Sequence, residues 1–170
     1  MQYPHTLIPT TYEKIHLLTG DTVSVPIAMP TFKPWLGIPL TDTYGGKQVI
    51  DSNGEPVFAE LVILRLLQVE GWEGVWIDTY RNKKWIAIDQ SIELPPNRNE
   101  LLKEIYRGAG SRSGCFDVYC WRDSQVLFAE AKRKGHDRIQ DTQRRWLAAA
   151  LNIGLPIESF LIIEWSLSEA

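Results

Sequence analysis

The stretch CFDVYCWRDSQVLFAEAK, from Cys115 to Lys132, constrains this chain most. Two runs of strand-forming residues are joined at Arg122, Asp123 and Ser124, the pattern of a hairpin. Yet Asp117 interrupts the first run, and Glu130 and Lys132, two apart, end the second. Charges are kept out of buried strands unless something pairs with them, so these three form either a solvated strand end or a site.

Strand alternation puts Phe128, Glu130 and Lys132 on one face and Leu127, Ala129 and Ala131 on the other. In the hairpin, Asp117 and Glu130 both lie at the end away from the turn, so their carboxylates can converge. Two such groups repel unless a cation sits between them, and hard oxygen ligands suit Mg²⁺ or Mn²⁺. Phosphodiester hydrolysis needs this combination: a metal to shield the phosphate and lower the pKa of a water, and an ammonium to orient that water or hold the developing charge. The alternative is an exposed Glu–Lys pair worth well under ~1 kcal/mol.

At 170 residues, 44% hydrophobic and 23% charged, the chain suits one globular domain. No run approaches the ~18 consecutive apolar residues of a membrane span, and MQYPHTLIPT lacks the basic start and apolar core of a signal peptide. We therefore expect an intracellular, cytoplasmic protein with no membrane partner. Cys115 and Cys120, five apart in one predicted strand, point to opposite faces and should remain reduced.

Residues 1–54 are broken by six prolines and several glycines, and read as an irregular or hairpin-like extension that packs on the core through Trp35 and Leu36. A core domain is expected over 55–170. PVFAELVILRLLQVEG predicts a helix over 56–70, with Pro56 in the first turn and Gly71 as its stop. GVWIDTY and KKWIAI predict two strands, and NRNELLKEIYRGAG a second helix capped by asparagine. HDRIQDTQRRWLAAALNIG predicts a third helix capped by Asp137, and SFLIIEW a closing strand. The order predicts an α/β fold, a mixed central sheet flanked by helices.

Helical spacing on the third helix gives an inward stripe of Ile139, Gln143, Trp146, Ala150 and Ile153, with one glutamine breaking an apolar face. Gln143 either meets water at a strand end or points at a site beyond Lys132. From Lys132 to Arg145, six basic residues (Lys132, Arg133, Lys134, Arg138, Arg144, Arg145) stand against Asp137 and Asp141, on a chain of net charge -3. Such a patch attracts a phosphate backbone, although i,i+4 pairs such as Asp141 with Arg145 account for part of it.

The order Gly114-Cys-Phe-Asp117, a turn, Phe128-Ala-Glu130-Ala-Lys132, a polar loop with Asp137 and Arg138, then Gln143-Arg-Arg-Trp146-Leu147, resembles the VRR-NUC domain of the PD-(D/E)xK nuclease superfamily. The same domain is the nuclease module of Fanconi-associated nucleases. The resemblance spans roughly residues 56–165 and is tightest from Gly114 to Leu151. It implies a restriction-endonuclease-like core and Mg²⁺- or Mn²⁺-dependent hydrolysis of DNA, with Asp117 and Glu130 as metal ligands, Lys132 as the catalytic lysine and Gln143 as the family's glutamine. Phe116 stands where the family usually has proline. A further ligand is expected from the first helix or the strand after it, where Glu60 and Asp78 fit, with Glu55, Glu70 and Glu73 as lesser candidates.

Other motifs point nowhere else. GAGSRSG lacks phosphate-loop spacing, and His5, His16 and His136 are too scattered for a zinc set. Two functional expectations follow: a structure-selective nuclease acting on DNA, branched or flapped DNA included, or a member of the same fold that binds nucleic acid through Arg133, Lys134, Arg144 and Arg145 without cutting it. Residues 1–54 could serve as a homodimer interface.

Overall fold

The computed structural model describes residues 1–169. In chain order the strands are β1 (Thr11–His16), β2 (Thr22–Ala28), β3 (Thr31–Pro34), β4 (Ile50–Ser52), β5 (Glu55–Val57), β6 (Glu73–Asp78), β7 (Lys83–Ala87), β8 (Gln90–Ser91), β9 (Val118–Arg122), β10 (Gln125–Arg133) and β11 (Phe160–Leu167). The helices are α1 (Ala59–Val69), α2 (Pro96–Ala109) and α3 (Asp141–Asn152). Among the described residues no helix is long and apolar enough to cross a membrane.

All the strands join one mixed, mostly antiparallel sheet, ordered β5-β4-β3-β11-β10-β9-β6-β7-β8. β11 is the pivot. It takes β10 in parallel along one edge, and along the other it takes β2, through Ile162 opposite Ile27, and then β3, through Ser166 opposite Thr31. Side-chain alternation along β10 divides the interior in two. Leu127 and Ala129 pack with Leu61, Ile63 and Leu64 of α1, while Phe128 packs with Leu102 and Ile105 of α2 and with Trp146 of α3. The fold is thus α/β, a sheet with α1 on one face and α2 and α3 on the other.

Several local expectations change. Residues 1–54 are not an appendage: β2 and β3 belong to the sheet, and the β4–β5 hairpin runs across the expected boundary at 54/55. Pro56 lies in β5, at the sheet's edge, where its missing N–H costs no ladder bond, and α1 starts only at Ala59. Pro95 and Pro96 open α2 in place of an asparagine cap, because their fixed φ suits a first turn. Asp137 does not cap α3. Its carboxylate instead accepts the Arg133 N–H at 2.8 Å and closes the turn after β10. Leu36 stays 75% exposed, and the Trp35 indole donates locally to the Ile38 carbonyl.

Candidate active site

The site forms where two paired strands part. The β9–β10 ladder ends at Val118 opposite Ala129; one residue earlier, the Asp117 carbonyl accepts from Ile77 N–H of β6 instead. β10 continues against β11 as far as Arg133. The parting leaves two backbone N–H groups without ladder partners, and each finds a carboxylate from across the gap. Asp117 N–H donates to Glu130 Oε2 at 3.1 Å, and Ala131 N–H donates to Asp117 Oδ2 at 2.9 Å. The two acids are therefore locked together by the chain itself.

Glu130 is 4% exposed, which rules out the solvated strand end that its spacing allowed. Burial raises its pKa above the ordinary carboxylate range, against the opposing pull of Lys132 and of the Gln143 and Asp117 hydrogen bonds. Burial also raises Asp117, and the charges of Glu130 and Glu60 push it further; the Ala131 N–H and Lys47 pull the other way. Like charges held this close in a dry corner call for a cation.

Lys132 supplies one ammonium. Its Nζ lies 3.2 Å from Glu130 Oε1, and it donates to the Arg138 carbonyl at 2.8 Å and to Gln143 Oε1 at 3.2 Å. Gln143 explains its own place on an apolar stripe. Its Nε2 donates to Glu130 Oε1 at 2.5 Å, while its Oε1 accepts the Gln140 N–H at 2.9 Å. One amide thus caps α3 and ties Glu130 to Lys132. Phe116 stacks on Trp146 with centroids 5.3 Å apart, so this aromatic fills the α3 interface.

On the α1 side, Glu60 is buried and forms a 2.5 Å ion pair with Lys47. Burial alone would lower the Lys47 pKa, but the Glu60 charge and hydrogen bond leave it raised, and the charges of Asp117 and Asp78 act in the same direction. Sequence reasoning missed Lys47. It sits in a loop between β3 and β4, where a lysine is unremarkable, and only the sheet brings it to α1. Its ammonium also lies 5.2 Å from the Trp76 ring centroid.

Asp78 has another task. It accepts from Trp85 Nε1 at 3.0 Å, from the Arg81 N–H at 3.2 Å and from the Arg81 guanidinium at 3.3 Å, all within its own hairpin. Glu60, the other candidate ligand, adds its charge to that of Glu130 against the ionisation of Asp117. Glu55 pairs with Arg65, and Glu73 accepts from the Trp121 indole.

The basic stretch does not act as one patch. Lys134 and Arg138 are exposed in the loop beyond Lys132, and Arg133 lies over the Trp165 ring at 5.6 Å. Arg144 is engaged with Asp141 at 2.8 Å. Arg145, about 200° around α3 from Gln143, lines a separate cavity of about 850 Å³ against the β1–β2 turn.

The donor set fits a hard divalent ion. Among the described residues no three His, Cys, Asp or Glu side chains already form a cage, but Mg²⁺ commonly takes only one or two protein carboxylates and completes its octahedron with water and substrate phosphate. Asp117 and Glu130, all-oxygen donors lodged in a corner that penalises their joint charge, meet that requirement. No protein family, curated protein or solved structure matches this chain.

Proposed function

We propose that this protein is a metal-dependent nuclease that hydrolyses DNA phosphodiester bonds, selecting its substrate by shape. The reading is carried by one observation: two carboxylates, the half-buried Asp117 and the buried Glu130, meet at a strand divergence with the Lys132 ammonium 3.2 Å from Glu130. Asp117 and Glu130 hold Mg²⁺ or Mn²⁺, with Glu60 as the nearby third carboxylate and Lys47 as its counter-ion. When bound, the ion shields the scissile phosphate and lowers the pKa of a water. Lys132 orients the attacking water and balances charge that develops on the phosphate oxygens. Gln143 holds Glu130 and Lys132 in register. In this reading β6, β9, β10 and β11 with α1 and α3 correspond to a PD-(D/E)xK core.

The test is a gel assay of labelled single-stranded, duplex, 5′-flap and four-way-junction DNA with Mg²⁺, Mn²⁺ or EDTA. Metal-dependent cutting that disappears in Glu130→Ala supports the reading and identifies the preferred DNA shape. Cutting that persists undiminished in Glu130→Ala and Lys132→Ala sinks it.

A second reading, a nucleic-acid-binding member of the fold without cleavage, is favoured by a different observation. Glu60 and Glu130 each already face an ammonium, Lys47 and Lys132, so part of the negative charge is balanced without metal. Tight Mn²⁺ binding by the free protein, measured by calorimetry, would count against it.

A further inference from the structure

A second basic surface lies on the face of the sheet that carries Glu130 and Lys132. Between β7 and α2 runs a cleft of about 570 Å³ whose lining includes Lys84, Lys103, Arg107 and Arg112 and no carboxylate. On a chain of net charge -3, four cations without an acid in one cleft is a local reversal of sign. Lys103 has a 3.5 Å contact with Glu100 across an exposed surface, of the kind worth little in water. Lys84, Arg107 and Arg112 form no ion pair among the described residues. Asn82, Asn99, Tyr106 and Ser111 add neutral polar groups to the same walls.

The cleft adjoins the carboxylate corner. Lys84 is the cross-strand partner of Ile77, and Ile77 N–H donates to the Asp117 carbonyl at 2.6 Å. Two strand spacings, about 10 Å, therefore separate the backbone of Lys84 from that of Asp117. On the other side of β10, toward β11, Lys134 N–H donates to the Trp165 carbonyl at 2.9 Å, and the exposed Arg138 follows in the same loop.

We infer that the β7–α2 cleft is a second binding surface for the phosphate backbone of nucleic acid, so that the strand crossing the Asp117–Glu130 corner is held by cations on both sides. Lys84, Lys103, Arg107 and Arg112 neutralise phosphates, and the amide and hydroxyl groups donate to their oxygens; such contacts fix register without reading sequence. The assignment rests on the nuclease reading for the identity of the ligand, but it concerns affinity rather than cleavage.

The experiment is fluorescence anisotropy of a labelled DNA duplex, in EDTA so that nothing is cut, over a series of salt concentrations. Lys103→Gln with Arg107→Gln changes two exposed residues. It should weaken binding about tenfold and make the slope of log K against log salt shallower by about 1.8, the release expected for two phosphate contacts. Lys84→Gln with Arg112→Gln provides an independent pair should the first lose its cooperative melt. Unchanged affinity and slope in both pairs, while Lys134→Gln with Arg138→Gln weakens binding, would overturn the cleft and leave the nuclease reading standing. Failure of the wild type to bind duplex, single-stranded, 5′-flap and four-way-junction DNA alike overturns both. Equal binding of polyglutamate and DNA, lost in the same variants, overturns the assignment to nucleic acid.

Discussion

Asp78 closes β6 and Asp117 leads into β9, its neighbour in the sheet, and each is an acid beside an apolar run. Their surroundings separate them. Asp78 meets an indole N–H, a backbone N–H and a guanidinium, all donors supplied by its own hairpin. Asp117 has one backbone donor, and the charges of Glu130 and Glu60 oppose its ionisation. A buried carboxylate ringed by its own donors serves the fold, because removing it orphans them. One held against other carboxylates is unfavourable until a ligand arrives, and that marks a site.

The sharpest way to break this contrast is to neutralise each acid in turn. Asp117→Asn should lower metal-dependent cleavage on the order of 10³-fold, as loss of one transition-state contact commonly does, without unfolding the protein; cleavage rates and a thermal melt on the same sample check both halves. Loss of the fold instead would place Asp117 with Asp78.

Gly114 extends the contrast to the packing around the site. Its φ is +90°, and a Cβ there would collide with the Thr142 carbonyl at the start of α3. Gly114→Ala should cost more than about 2 kcal/mol in urea melts, through strain and displacement of α3, and should reduce cleavage by moving Gln143 off Glu130.

Asp78→Ala should do the reverse of Asp117→Asn. It leaves the Trp85 N–H and Arg81 unpaired and should destabilise by about 1–3 kcal/mol, while the folded fraction still cuts. A smaller effect is expected for Lys47→Met, which strands Glu60. Because Lys47 is about a third exposed, solvent screening limits the loss to about 1–2 kcal/mol, and adding Glu60→Gln should recover most of it.

The smallest expected signal is in pH. Asp117 and Glu130 have folded pKa values raised above their unfolded ones, so between the two values the native state holds more protons. Their contribution to stability is full below an unfolded pKa of about 4 and is lost as pH rises through the folded values. In EDTA, the stability of Asp117→Asn relative to wild type should therefore grow with pH in paired urea melts. A flat difference would mean that Asp117 is not in the charged corner described.

Much of this corner was legible beforehand. Period-two alternation put Glu130 and Lys132 on one face, hairpin geometry brought Asp117 toward Glu130, and helical spacing aimed Gln143 inward; all are local rules acting over short separations. Other features were not legible. Asp137 looked like a cap, but the turn after β10 claims it, and Gln143 caps α3 with the amide that also binds Glu130. Asp78 and Glu60 were equivalent as candidates because each fits its own segment, and only their neighbours differ.

The sequence by itself therefore determined β6, β7, β9, β10 and β11, the three helices and the Asp117–Glu130–Lys132–Gln143 cluster, since periodicity and turn chemistry are properties of adjacent residues. Only the tertiary structure brought Lys47 to Glu60, wove β2 and β3 into the sheet and opened the cationic cleft between β7 and α2. Those arrangements depend on which distant segments share a sheet edge, and that follows from burial of the whole interior, on which no short stretch carries a signal.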